Sequence, residues 1–296
     1  MKRFVLTLAF LFTAMQAPAQ TAPQAAPQVA PTYPPHTVPN TLLRALPKNA
    51  DGRSYQLHIH LPESYAKDPK RRYPVLYVTD GYWDFATIVA SYNNLAYDKV
   101  VPEFITVGLG YAGDNLDYGT MRNWELLPVR PTPSDTSMGN ADKFIATLEK
   151  DIFPLLEREY RADPAQRYLA GSSLGGLFTL HAMYSKPGLF QGYIAASPAV
   201  VVGNDWLMGQ AKAYAATGKP IKARLYVTGA ENEWPAFLAG IKRYQALLPE
   251  LKHPGLTYQN RTIEGERHAG TKAESYTRGI RYVFEPLAPE TGMSKD

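Results

Sequence analysis

Apolar residues recur along most of this chain in two rhythms, one of period two and one near 3.6, and the two alternate. "SYQLHIHLP" (54–62) switches between polar and apolar like a half-buried strand. "YPVLYVTDG" (73–81) is a short β-rich run ending at Asp-Gly, and "EFITVGLGY" (103–111) is another. In "NADKFIATLEKDIFPLLEREY" (140–160), Phe144, Leu148, Ile152, Leu155 and Leu156 share one helical face. Pro154 within it predicts a kink, or the end of one helix and the start of the next. Beyond it come strand "RYLAGS", helix "SLGGLFTLHAMYSK", strand "GYIAASPA", and strand "ARLYVTGAENEW" with a polar exit. Helix "AFLAGIKRYQALLPE", strand "LTYQNRTIEG" and helix "SYTRGIRYVFEPL" complete the series. Strands alternating with helices predict an α/β domain over 41–288, a mostly parallel sheet with helices on both faces.

Two long stretches break the rhythm. Residues 20–40, "QTAPQAAPQVAPTYPPHTVPN", lack a periodic apolar face, and their prolines forbid a continuous helix. A disordered tether is expected there, and a disordered tail over 289–296. Residues 111–139 are polar and rich in Gly and Pro. They predict a long irregular loop leaving the carboxyl end of a strand, where ligands of open α/β sheets gather, so a functional role is expected.

The first residues add a destination. Lys2 and Arg3 precede a mostly apolar run from Phe4 to Met15, and Ala17-Pro18-Ala19 resembles a small-x-small cleavage site. This pattern predicts a secretory signal peptide over 1–19, too short to span a bilayer, and a periplasmic or secreted product with no stable membrane insertion. Removing it lowers the formal charge from +4 to near +2. That balance is no nucleic-acid footprint, and "KDPKRR" (67–72) reads as a solvated loop before a strand. The chain has no cysteine, so disulfides and thiolate metal sites are excluded. Of its 6 histidines only His58 and His60 are close, and their alternation predicts an exposed strand face rather than a metal site. No metal or cofactor is called for, and the chain does not state its own oligomeric state.

Candidate chemistry sits in "RYLAGSSLGGLFTL" (167–180). Gly171-Ser172-Ser173-Leu174-Gly175 fits G-x-S-x-G with Ser173 at the centre; in the Ser172 frame the first glycine would be Ala170. The motif makes sense between a strand and a helix. The serine occupies a strained turn at the sheet edge, and the flanking glycines remove side chains that would collide. The Leu174 amide and the start of the helix then face a developing oxyanion. A serine needs a base, and the base an orienting carboxylate, in the chain order serine, acid, histidine. His181 lies within the helix after the elbow and is carried away from the hydroxyl, and His253 precedes Pro254 in a turn. His268, in a polar loop between the last strand and the last helix, is the expected base. Glu231 and Glu233, just past a strand end where Gly229 would allow a turn, are both candidates for the acid. The second oxyanion donor is expected from "LYVTDGYWDF", at the Tyr82 amide, with Gly81 permitting a tight turn. Asp80 either faces the pocket or caps the turn.

These segments, with "VGLGY", "RNWELLP", "FQGYIAASPA" and "ERHAG", stand in the order seen in the Putative esterase family of α/β-hydrolases, which the chain resembles over roughly residues 40–285. That group includes esterase D-like enzymes, siderophore esterases, some feruloyl esterases and the mycolyltransferases. The resemblance implies an α/β-hydrolase fold, Ser173 as nucleophile, His268 as base, and Tyr82 and Leu174 as oxyanion donors. In the mycolyltransferases the acid closes an Asn-Glu pair four residues past a glycine. Gly229 and Asn232-Glu233 match, which favours Glu233 over Glu231. Arg122-Asn123-Trp124-Glu125-Leu126 resembles an R-x-x-E/D-L segment of the siderophore branch. Arg122 there would hold an anionic or catecholate group, or else pair with Glu125. Asp80, Arg122 and Trp83 are the candidate substrate-binding residues. Relatives often carry aromatic residues directly after the Ser-Pro that here opens "SPAVVVGNDWL".

The expected function is an exported serine esterase acting on a small-molecule ester, with a siderophore ester as the first substrate. Feruloyl or acetyl esters are the next candidates, and an acyltransferase with the same triad is the alternative. A binding protein on an inactive fold is opposed by the intact Ser173, His268 and glycines.

Overall fold

A computed structural model describes residues 36–130, 134 and 138–289. The expected signal peptide, most of the tether and nearly all of the tail lie outside the described residues. From Val38 onward the described residues form one compact unit.

Its centre is an eight-stranded sheet in the order β1-β2-β4-β3-β5-β6-β7-β8. The strands are β1 (Thr41–Ala45), β2 (Tyr55–His60), β3 (Tyr73–Val78), β4 (Ile105–Tyr111), β5 (Ala162–Ser172), β6 (Gly192–Ala196), β7 (Ala223–Ala230) and β8 (Leu256–Ile263). β2 runs antiparallel to both β1 and β4, and the remaining neighbours are parallel. The helices are α1 (Gly81–Tyr97), α2 (Tyr118–Leu126), α3 (Ala141–Thr147), α4 (Phe153–Glu159), α5 (Leu174–Ser185), α6 (Val202–Ala216), α7 (Pro235–Leu251) and α8 (Lys272–Phe284). This is the α/β-hydrolase fold, with the mostly parallel sheet that the alternating rhythms imply.

Strand alternation feeds two cores. Tyr77, Val107, Leu169, Tyr193 and Leu225 point to one face, among Phe144, Phe178 and Ile241 of α3, α5 and α7. Leu76, Val78, Tyr168, Ala170 and Ile194 point to the other, among Ile88 and Tyr92 of α1 and Tyr276, Ile280 and Phe284 of α8. Each large side chain so buried contributes about 2 kcal/mol. Because both faces are covered, the central strands are apolar throughout rather than alternating, as in parallel sheets generally.

Four elements go beyond those the pattern predicts: β1, α1, α2 and α6. α1 does carry a helical stripe, Phe85, Ile88, Val89, Tyr92 and Leu95 all being buried. α2 corrects the expectation of an irregular loop over 111–139. Its buried positions are Glu125 and Leu126 alone, so it has no apolar period to read. It is started instead by Asp117, whose carboxylate accepts from the Thr120 amide at 3.1 Å and the Thr120 hydroxyl at 2.7 Å. At Pro154 one helix ends and another begins. α3 passes through a π turn (Leu148–Ile152), and α4 restarts with the proline in its first turn, where a missing N–H leaves nothing unpaired.

The histidine pair is also corrected. His60 is buried against Tyr92, their ring centroids 5.3 Å apart, and His58 packs on Phe85 at 5.7 Å. The strand face they occupy is covered by α1, so it is not exposed.

Candidate active site

The carboxyl ends of β3, β5, β6, β7 and β8 bring the candidate residues to one edge of the sheet. β3 and β5 are neighbours, paired through Val78 and Ala170, so the Asp80 turn and the Ser173 turn emerge side by side. Ser173 has φ 59° and ψ −118°, a conformation that a residue with a side chain seldom adopts. The strain is held from three directions. The Ser173 amide donates to Ala196 O at 3.0 Å, and its carbonyl accepts from Leu177 and Ala199.

The glycines around it are steric requirements. A Cβ on Gly171 would lie 2.4 Å from the Gly175 carbonyl, and one on Gly175 would lie 2.1 Å from Thr79 Oγ1. The two serines separate cleanly. Ser172 closes β5 with its hydroxyl buried and without a hydrogen-bond partner, whereas Ser173 is partly exposed at the helix start.

Leu174 is the first residue of α5 and Tyr82 the second of α1, positions whose amides have no acceptor within their own helix. The left-handed residue of the β3–α1 turn is Asp80 (φ 55°), not the glycine that follows it. Gly81 serves close approach instead: a Cβ there would meet the Gly108 backbone of β4 at 2.4 Å. Gly229 likewise is no turn residue; it lies within β7, opposite Thr262.

The two glutamates go to different places. Glu233 is buried, and its oxygens lie 2.9 and 3.0 Å from His268 Nδ1. The side chain of Ser197, after β6, also favours the ionised form of the same carboxyl. Burial pushes the Glu233 carboxyl up, but the contacts with His268 and Ser197 outweigh it and hold the group below its usual range. Glu231 instead accepts from the Gly265 amide at 2.8 Å and ties the loop after β8 to the end of β7. The His268 ring lies between Trp234 at 4.8 Å and Phe237 at 5.1 Å, and its carbonyl accepts from Thr271. Ser197 carried no sequence signal of its own; only the fold brings it under Glu233.

Asp80 and Arg122 form a buried two-point ion pair, Nε to Oδ1 at 2.5 Å and Nη2 to Oδ2 at 2.9 Å. Asp80 makes no side-chain cap for α1, and Arg122 does not pair with Glu125. Glu125 takes Arg53 at 2.9 Å and the Tyr55 hydroxyl at 2.7 Å. α2 is thereby tied through residues three apart, on one helix face, to both the β3–α1 turn and the start of β2. Trp83 is 57% exposed, with Lys272 Nζ 3.6 Å from its ring centroid. Among the described residues no three His, Asp or Glu side chains gather as a metal site would require.

A mostly parallel sheet of this topology, with its candidate residues gathered at the carboxyl ends of the strands, places the chain in the α/β-hydrolase class. The chain belongs to the Putative esterase family, whose model matches residues 49–248, and it is a carboxylic ester hydrolase. Among characterised relatives it is similar to the ferri-bacillibactin esterase BesA of Bacillus subtilis, 26% identical over 268 residues that cover 85% of this chain and 92% of that one. Among solved structures it resembles the BES protein from Bacillus cereus, with a TM-score of 0.77 and 25% identity over 86% of this chain and 99% of the other. The siderophore hydrolase EstB from Aspergillus nidulans has the same fold, with a TM-score of 0.75 at 22% identity over 86% and 98% of the two chains.

Proposed function

We propose that this chain is an exported serine esterase that opens siderophore-type esters through an acyl-enzyme on Ser173. The Ser173 hydroxyl oxygen attacks the ester carbonyl carbon as His268 Nε2 takes its proton. The carbonyl electrons move onto oxygen, where the Tyr82 and Leu174 amides receive the charge, each donor worth about 3 kcal/mol. Collapse breaks the bond to the alcohol, which leaves with the proton from His268. Water, deprotonated by the same imidazole, then releases the acid and restores Ser173.

The observation that carries this reading is the contact of His268 Nδ1 with the buried Glu233, which turns Nε2 outward as the basic atom. The strained Ser173 supports it from the end of β5, on the same sheet edge with β6 between it and β7. For substrate, the support is the named activity of the relatives together with the aromatic rim. Trp83 and Trp234 are exposed beside the proposed oxyanion turn and the proposed base, and offer aromatic surface to an aryl group. Asp80 and Arg122 act on the substrate by fixing the turn that carries Tyr82. Export, to the periplasm or beyond, rests on the amino-terminal pattern; among the described residues no helix is long and apolar enough to cross a membrane.

The test is fluorophosphonate labelling and p-nitrophenyl ester turnover by wild type, Ser172→Ala, Ser173→Ala and His268→Ala. Loss in the Ser173 and His268 variants alone is expected; equal behaviour of all four, or loss in Ser172→Ala only, overturns the triad. Turnover of a catecholate trilactone against feruloyl and acetyl esters then sets the substrate. Mass spectrometry of products formed with added sugar or lipid alcohols decides between hydrolysis and acyl transfer.

A further inference from the structure

The first turn of α1 holds a second buried carboxylate that the mechanism above does not use. Asp84, fully buried, lies one helical turn beyond Asp80. Its Oδ1 accepts from Lys272 Nζ at 2.6 Å, and its Oδ2 accepts from the Tyr276 hydroxyl. Tyr276 is fully buried and the Lys272 side chain nearly so. The partners are 188 and 192 residues away in sequence, on the first turns of α8.

That helix begins four residues after His268. The join between them is tight: the Thr271 hydroxyl donates to the His268 carbonyl at 2.9 Å, and the Thr271 amide to Arg267 O at 3.2 Å. At the other end, the Asp84 amide donates to the Asp80 carbonyl at 3.0 Å, across the turn that contains Tyr82. The Lys272 ammonium also lies over the ring of Trp83, the residue after Tyr82. One buried ion pair therefore links the turn bearing an oxyanion donor to the loop bearing the base.

The charges matter as well as the link. Two carboxylates at the start of α1 would cancel the positive potential its free amides offer an oxyanion. Arg122 neutralises Asp80 and Lys272 neutralises Asp84, so the amides keep their effect. A buried ion pair is not the most stable way to fill such a space, since apolar side chains of equal volume often do as well or better. What it adds is one fixed register between the elements it joins.

We propose that Asp84 is a positioning residue. Through Lys272 and Tyr276 it holds the Tyr82 amide in register with His268, and it acts on turnover rather than on substrate affinity. The inference rests on the serine-esterase reading.

The test compares wild type, Asp84→Asn, Lys272→Met, the double variant and Ser173→Ala. The readouts are kcat and KM on p-nitrophenyl butyrate, the rate and stoichiometry of fluorophosphonate labelling, and Tm. Each single variant is expected to lower kcat by about tenfold or more with KM within about twofold, because small misplacements of reacting groups are expensive in rate. Labelling should slow while still reaching one probe per chain. In the double variant Tm should recover, since no charge is left buried alone, while kcat should not. A kcat near wild type in the folded variants, a rise in KM in place of the fall in kcat, or recovery of kcat together with Tm would each overturn the proposal. If Asp84→Asn does not fold, Lys272→Met and the double variant decide it on the same readouts. A wild-type chain that neither turns over the ester nor takes the probe at Ser173 overturns the serine-esterase reading itself, whereas an active wild type with unaffected variants overturns only the role of Asp84.

Discussion

Glu233 Oε2 lies 2.9 Å from His268 Nδ1, across the ends of two adjacent parallel strands, while Glu231, two residues earlier, faces the Gly265 amide. Strand β7 delivers both glutamates to the same edge, and the chain after Ala230 parts them. Replacing the histidine's carboxylate by an amide removes the preferred acceptor for the Nδ1 proton. Glu233→Gln should therefore lower kcat by about a hundredfold or more, and Glu231→Gln by less than about twofold. Steady-state kinetics on one activated ester checks both. Because the Glu233 carboxyl is held below its usual range, its contribution is fully present above the ordinary carboxylate pKa and is lost only as pH falls through the lowered value.

The elbow makes a steric prediction. Gly175→Ala would place a methyl 2.1 Å from Thr79 Oγ1, at the end of the neighbouring strand. Either Thr79 or the elbow must move, a strain of about 1–3 kcal/mol with loss of most activity. Thr79→Ala removes the clashing hydroxyl and should restore part of both in the double variant. Urea denaturation and fluorophosphonate labelling of the two single variants and the double variant would show the coupling.

Arg122 answers a buried carboxylate. Arg122→Met takes the principal partner from a buried carboxyl that burial already pushes up, so that the chain must either bury an unpaired charge or bind a proton, and should destabilise it by about 3–5 kcal/mol. Asp80→Asn/Arg122→Met removes both charges and should be closer to wild type than Arg122→Met alone. Equal unfolding midpoints for the single and double variants would mean that the pair carries no coupling.

His60 makes the fold acid-sensitive. Burial lowers its pKa to about 4, against an ordinary value near 6.5 in the unfolded chain. Between those values the unfolded chain binds a proton that the folded one refuses. Stability therefore falls as pH drops from 6.5 toward 4, and the contribution is intact above 6.5. His60→Phe should reduce the loss of unfolding free energy between about pH 7 and about pH 5 by about 2 kcal/mol, read from urea midpoints at each pH.

Much of this molecule was legible in one dimension. The two alternating rhythms specify a parallel α/β sheet because a strand covered on both faces must be apolar throughout and a covering helix must be apolar on one side. Gly171, Ser173 and Gly175 were legible because the turn they form tolerates no side chain at the glycine positions, a local constraint. His268 was reachable from its place between the last strand and the last helix. Tertiary structure decided what depends on elements distant in sequence. It separated Glu233 from Glu231, gave Arg122 to Asp80 and Glu125 to Arg53, and buried His60 beneath α1. It made Asp80, not Gly81, the left-handed residue of its turn, and built α2 on polar anchors with no apolar period to reveal it. It also set Ser197 under Glu233 and joined Asp84 to Lys272. Periodicity records which side of an element is buried, but a charged side chain's partner is chosen by whichever opposite charge the fold brings within hydrogen-bond distance.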